Sequence, residues 1–119
     1  MFQINVWDLL SSYTGDSKEL EFEGEVMSGY YEDIVFTKPL SFRIKLIALD
    51  DGIEAIFETI DTEVEHEGLS REVHIENVAR TFKEWFDPLA PDDIKFIESK
   101  NKTIDFKDVL REEILISLY

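Results

Sequence analysis

A chain of 119 residues with 27 acids, 12 bases and a net charge of −15 has the length of one compact domain. It is 44% hydrophobic and rich in Phe, enough for a true core, so it is not a disordered acidic tail. Zero cysteines exclude disulfides, thiolate zinc sites, iron–sulfur clusters and a Cys nucleophile, and the acidity argues against gripping a phosphate backbone.

The alternation of Phe2, Ile4 and Val6 with Gln3 and Asn5 predicts a short first strand. Trp7 to Tyr13 reads as one or two helical turns, with Leu9, Leu10 and Tyr13 on one side. Thr14-Gly15-Asp16-Ser17 is a loop. Leu20, Phe22 and Val26 then predict a second strand, broken by Ser28-Gly29. Ile34-Val35-Phe36 before Pro39 suits an edge or connecting strand, because proline cannot donate to a sheet ladder.

The middle of the chain carries the strongest pattern. Leu40, Phe42, Ile44, Leu46 and Ala48 alternate with Ser41, Arg43 and Lys45. Asp50-Asp51-Gly52 follows, and Ile53, Ala55 and Phe57 begin the return strand. This is a hairpin signature in which Gly52 is expected to supply the positive φ of a tight turn. Ile47 and Leu49 put apolar groups on the second face of the first of these strands, which is therefore expected to be covered on both sides.

The strand from Ile53 is expected to run to about Glu67. Ile60, Thr62, Val64 and His66 share one face of its later half, and Asp61, Glu63, Glu65 and Glu67 share the other. Those four carboxylates form a stripe with neighbours about 7 Å apart. From Asp50 to Glu76 there are ten acids and one base, Arg71, which concentrates most of the net charge in this hairpin.

Gly68 to Arg71 is read as a turn. Residues 71–86 mix two periods. Val73 and Ile75 alternate with Glu72 and His74 like a strand, whereas Val78, Phe82, Trp85 and Phe86 recur like a helix. Strand is favoured for the first half, as the short return from the hairpin. Asp87-Pro88 and Pro91-Asp92-Asp93 mark a loop. The last element is a helix with Asp105 as N-cap, Asp108 at the third position, and an Ile104/Val109 staple. Phe106, Val109, Leu110, Ile114, Leu115 and Leu118 follow at helical spacing. The chain is thus read as one α+β domain over residues 1–119. Its antiparallel, strongly hairpin-based sheet carries a short N-terminal helix and a packed C-terminal helix.

The opening MFQINVWDLL lacks a basic n-region, and no stretch approaches the roughly 18 apolar residues of a membrane span. A cytoplasmic protein with no membrane partner is expected. The sequon Asn101-Lys102-Thr103 is read as coincidence in that setting.

Residues 104–118, opening Ile104-Asp105-Phe106 and closing on the apolar run to Leu118, resemble the C-terminal signature of the YceD-like family. Those are bacterial and plastid proteins of large-subunit ribosomal RNA accumulation, whose pattern is Ile-Asp-Leu, a spacer, an acid, and an apolar run ending Leu-Pro. Asp105 and Glu112 stand where the family's acids stand. Leu69-Ser70-Arg71-Glu72-Val73 lies where relatives carry Cys-x-x-Cys, and Ser70-Arg71 resembles the pair between their cysteines. Ile4, Leu9-Leu10 and Gly15 resemble the family's opening strand, turn and glycine. Leu69 and Glu72 replace the cysteines, and Tyr119 stands at the proline before the place of a second cysteine cluster. Both halves of a zinc site are therefore absent together, and the turn is expected to be held by packing alone.

No phosphate-cradling glycine loop, HExxH or GxSxG motif is present. His66 and His74 could meet across the Gly68 turn as a metal or acid/base pair, but two histidines without a third ligand are read as ordinary strand residues. Trp7, Tyr30, Tyr31, Trp85 and Phe86 are read as core rather than base-stacking groups, since the bases are dispersed. The expectation is a non-enzymatic accessory protein of large ribosomal subunit or ribosomal RNA biogenesis, without cofactor or metal. It would bind a basic partner, such as a ribosomal protein or assembly component, through Asp61, Glu63, Glu65 and Glu67. The alternatives are RNA contact through an Arg43/Lys45 face and a structural or dimerising domain. The plainest reading of the stripe is a solvated face that discourages sheet aggregation.

Overall fold

In the computed structural model the described residues are 3–25, 34–84, 88–89, 94–98 and 100–118. The expectations at Phe2, Val26, Ser28-Gly29, Tyr30, Tyr31, Trp85, Phe86, Asp87, Pro91-Asp92-Asp93 and Tyr119 lie outside the described residues.

The architecture is α+β. The elements in chain order are β1 (Gln3–Asn5), α1 (Trp7–Leu10), β2 (Ser17–Glu25), β3 (Ile34–Phe36), β4 (Leu40–Ala48), β5 (Gly52–His66), β6 (Leu69–Lys83), β7 (Ile94–Phe96), β8 (Thr103–Asp105) and α2 (Lys107–Leu118). The main sheet runs β2-β4-β5-β6-β7, and β3 also pairs with β5. Every ladder is antiparallel except β6–β7, which is parallel. β1 does not join this sheet. It forms a separate two-stranded ladder with β8, Ile4 opposite Ile104, and so ties the start of the chain to its last helix.

β3 and β4 lie along the same side of β5 as one interrupted strand. Phe36 faces Val64, and Ser41 faces Asp61. Lys38-Pro39 fills the gap, where Thr37 donates its N–H to Glu63 O at 2.9 Å and the Thr62 hydroxyl donates to Lys38 O at 3.1 Å. Proline without an N–H explains why the ladder breaks there.

β5 and β6 form a hairpin of two 15-residue strands. Its buried positions change parity along its length. In β5 they are Ile53, Ala55 and Phe57, then Ile60, Val64 and His66. The β4–β5 register slips by one across the same interval, a bulge at Glu58. On β6 the facing residue Asn77 takes φ 55°, a conformation that asparagine tolerates. Both strands step together, so the inner face of β5 stays buried along its length, while on β6 Val73 and Phe82 are buried and the face opens at Leu69 and Arg71. β6 remains a strand as far as Lys83, and the helix-like spacing of Val78 and Phe82 is the trace of this parity step.

Two turns differ from the expected ones. The β5–β6 turn is Glu67-Gly68 alone, not Gly68–Arg71, with φ of 53° and 77°. Positive φ at both central residues is the two-residue hairpin turn whose twist matches the strands. Leu69 after it is 60% exposed, so the turn is held by backbone geometry and the ladder rather than by apolar packing. At the β4–β5 corner Gly52 does not have positive φ. It already belongs to β5, opposite Lys83, and an added Cβ would collide with the Phe82 carbonyl oxygen. Close backbone approach, not turn conformation, requires glycine there.

One contiguous buried cluster lies on the inner face of the sheet. Val6, Leu9, Ile104, Phe106, Val109, Leu110 and Ile114 cover Phe42, Ile44, Leu46, Ile53, Phe57, Ile60, Val64 and Phe82. Phe106, between β8 and α2, meets Phe57, Phe82 and Phe42 edge-on with centroids at 5.6, 6.0 and 6.3 Å. Ile47 is only half-buried, so β4 is not covered on both sides as expected. α1 ends at Leu10, and Tyr13, expected on its packed side, is 85% exposed. Trp7 is likewise 60% exposed and not a core aromatic. Among the described residues no helix is long and apolar enough to cross a membrane.

Candidate functional site: the outer face of the sheet

Strand alternation sends every second side chain away from the core. Register places Glu19 and Glu21 of β2 opposite Lys45 and Arg43 of β4. Asp61, Glu63 and Glu65 of β5 lie opposite His74, Glu72 and Ser70 of β6. The result is an acidic outer face spanning four strands, wider than the single stripe expected.

The stripe residues are not equivalent. Asp61 is half-exposed, and its carboxylate meets Nδ1 of His74. Glu63 is the most enclosed, with its side chain 21% exposed. It pairs with Lys38 Nζ at 2.9 Å and accepts from the Ser70 hydroxyl at 3.0 Å and the Thr37 hydroxyl at 3.3 Å. The Lys38 ammonium first, then the Ser70 hydroxyl, hold the Glu63 carboxyl below its ordinary range. These bonds relieve the repulsion expected from Glu72, directly opposite on β6. Glu65 is exposed and makes no side-chain hydrogen bond or ion pair to the described residues. Glu67 has left the strand for the turn, because β5 ends at His66.

His74 bridges two carboxylates. Nδ1 meets Asp61, and Nε2 meets Glu76 Oε1 at 2.7 Å. Asp61 first, then Glu76, raise its pKa above the usual imidazole value. A raised folded-state pKa adds stability that is complete below the unfolded value near 6.5 and fades as pH rises through the folded value. We therefore expect His74→Gln to lower the melting temperature at pH 5.5 and to leave it unchanged at pH 9.5. An equal loss at both pH values would refute the imidazolium bridge.

The histidines do not meet. His66 is 2% exposed on the inner face opposite Leu69, while His74 lies on the outer face. With the pair split across the sheet, the metal or acid/base arrangement weighed from sequence does not assemble. No group of three or more metal-ligating side chains converges among the described residues. Leu69 and Glu72 fall three apart in a regular strand and so on opposite faces of β6.

Asp105 and Glu112 make their contacts within the fold. Asp105, just before the helix, accepts the backbone N–H of Lys107, the first residue of α2, on Oδ1 at 2.9 Å and so satisfies one of the free donors at its start. Leu110 donates to Phe106 O, so the helix starts one residue later than expected, with Phe106 rather than Asp105 at the N-cap, Asp108 at the second position and Ile104 and Val109 off the staple positions. Glu112 receives Lys95 Nζ of β7 at 2.9 Å, and its neighbour Glu113 pairs with Arg80 of β6. These contacts fasten α2 to the sheet.

Arg43 and Lys45 share the outer face as expected, but in acidic company. Arg43 approaches Glu21 at 3.7 Å, and Lys45 stands opposite Glu19. The width of the acidic face is not legible in sequence because Glu19 and Glu21 meet Lys45 and Arg43 across more than twenty intervening residues, and only register reveals that these glutamates join those of β5. No family model, curated protein or solved structure matches the chain.

Proposed function

We propose that this protein is a non-enzymatic binding module that receives a basic protein partner on the outer face of its sheet. The observation that carries the proposal is the distribution of acids on that face. Glu19, Glu21, Glu54, Asp61, Glu63, Glu65, Glu72 and Glu76 outnumber the basic groups there, Arg43, Lys45, Lys83 and His74 by register and Lys38 by its pairing with Glu63. Such a field speeds encounter with a cationic surface and rejects polyanions. The resemblance of the C-terminal segment to YceD-like proteins directs the choice of partner to a ribosomal protein or assembly component. The purpose would then be large-subunit or ribosomal RNA biogenesis.

Direct RNA contact through Arg43 and Lys45 is disfavoured by the glutamates that face both residues. The separation of His66 from His74 removes the support for an acid/base site.

Charge reversal tests the reading. Glu63 is unsuitable because reversal would break its bonds to Lys38 and Ser70. Glu65 and Glu72 are exposed and have no such role. The double variant Glu65→Lys, Glu72→Lys is expected to keep the wild-type melting temperature. It should weaken capture of basic ribosomal proteins about tenfold at low salt. Unchanged capture by a folded variant would reject the acidic-face reading.

A further inference from the structure

The β6 edge offers more than charge. β7 pairs only with Thr81–Lys83, so Leu69–Arg80 has no neighbouring strand on that side among the described residues. His66 and Leu69 flank the two-residue turn and form the closing hydrogen-bonded pair of the hairpin. Antiparallel pairing alternates, so Ser70, Glu72, His74 and Glu76 turn their backbone N–H and C=O groups outward, away from β5. The open edge is regular from Leu69 to Glu76 and ends at the Asn77 step. It is long enough to pair a strand of about seven residues.

Two features of this edge select what pairs with it. On the outer side Glu72 and Glu76 project beside the open backbone. At the edge itself, between β6 and the end of α2, lies a hollow of about 300 Å³, lined by the consecutive residues Arg71, Glu72, Val73 and His74 of β6 and by Ser117 and Leu118 of α2. Val73 is buried and Leu118 half-buried. The last turn of α2 carries no basic residue, so its carbonyl end is left negative.

We propose that β6 receives an extended segment of the basic partner as an added strand along Ser70–Glu76. Its alternating side chains would be cationic on the outer face and apolar over the Val73/Leu118 hollow. Main-chain hydrogen bonds supply affinity in this mode, and alternate side chains supply specificity. A net charge of −15 selects a cationic strand over a second copy of this chain. The inference rests on the reading of the outer face as the surface for a basic partner, and adds the way in which that partner is held.

The test uses the full chain and an eight-residue peptide of alternating Lys and Val, with binding followed by calorimetry. Two further peptides are N-methylated on the Lys or on the Val residues, which keeps the charge and removes one set of N–H donors. The parent peptide is expected to bind, and one of the two methylated forms to bind about tenfold or more weakly. Glu72→Pro, which removes an outward N–H, should weaken the parent peptide likewise, while Glu72→Gln should cost only a few-fold. Equal binding of all three peptides would overturn strand addition and leave the acidic-face reading standing, since charge alone would then suffice. No binding of the parent peptide would also overturn it, while the acidic-face reading is judged separately by the Glu65/Glu72 reversal. A dimer in light scattering that Glu72→Pro dissociates would assign the edge to a second copy and overturn the proposal.

Discussion

Phe106→Ala is expected to lose about 4 kcal/mol of folding free energy, the range for deleting a buried phenylalanine ring. Phe106 is fully buried and touches phenylalanines from β4, β5 and β6 at once. Removing the ring leaves a cavity bounded by three rings on different strands, which cannot collapse together because the ladder fixes their spacing. The loss is compounded by position. Phe106 joins β8 to α2, and its carbonyl accepts the first hydrogen bond of that helix, from Leu110 at 2.9 Å. A domain of this size has roughly 5–15 kcal/mol of stability in all, so the variant is close to unfolding. Urea denaturation followed by circular dichroism measures it, and Phe106→Leu, which keeps most of the volume, should lose about 1.5 kcal/mol or less. An alanine loss below about 1 kcal/mol would mean that the three rings are held without Phe106.

Gly52→Ala is the second large effect, roughly 3 kcal/mol, at the upper end for forcing a methyl into occupied space. The new Cβ would meet backbone, the Phe82 carbonyl, and would lie 3.0 Å from the Lys83 Cα. Backbone cannot move aside as a side chain can. The corner is also pinned by Lys83 to Asp51 at 2.8 Å and by the Glu84 N–H to Asp51 O at 3.0 Å. Gly68→Ala is the informative comparison. Its Cβ would enter open space, and only the positive φ is unfavourable, at about 1 kcal/mol. If Gly68→Ala proved the more damaging of the two, close approach of the Phe82 carbonyl would not be what requires glycine at position 52.

The elements with strict alternation were legible in the sequence. β4 and the first half of β5 appear as Leu40–Ala48 and Ile53–Phe57, with every second residue buried. The C-terminal helix and the burial of Ile104, Val109 and Leu110 were legible for a similar reason, since helical spacing dictates them, whereas the N-cap falls on Phe106 rather than Asp105 and so takes Ile104 and Val109 off the staple positions. β7 and β8 were not expected. Each is three residues long, too short for a period to show, and each exists because a distant partner completes it, β6 for one and β1 for the other. The parity step at Glu58 and Asn77 left a trace in the sequence, as a slip from odd to even apolar positions, but on β6 the slip imitates a helical period.

The candidate site divides in the same way. Asp61, Glu63 and Glu65 share a face because strand geometry alone requires it. Which of them is available to a partner depends on neighbours far away in sequence. Lys38 and Ser70 enclose Glu63, His74 takes Asp61, and Glu65 is left exposed.

The sequence by itself determined that the chain is acidic, free of cysteine, built on a long central hairpin and closed by an amphipathic C-terminal helix. Those properties follow from composition and from periods that extend over no more than one element. The tertiary structure alone decided three things. Glutamates of β2 join those of β5 and β6 on one face, the two histidines part to opposite sides of the sheet, and β6 keeps an open edge. Each depends on which strands become neighbours and in what register. A one-residue change of register exchanges the faces of a strand, and no local pattern records the pairing of distant ones.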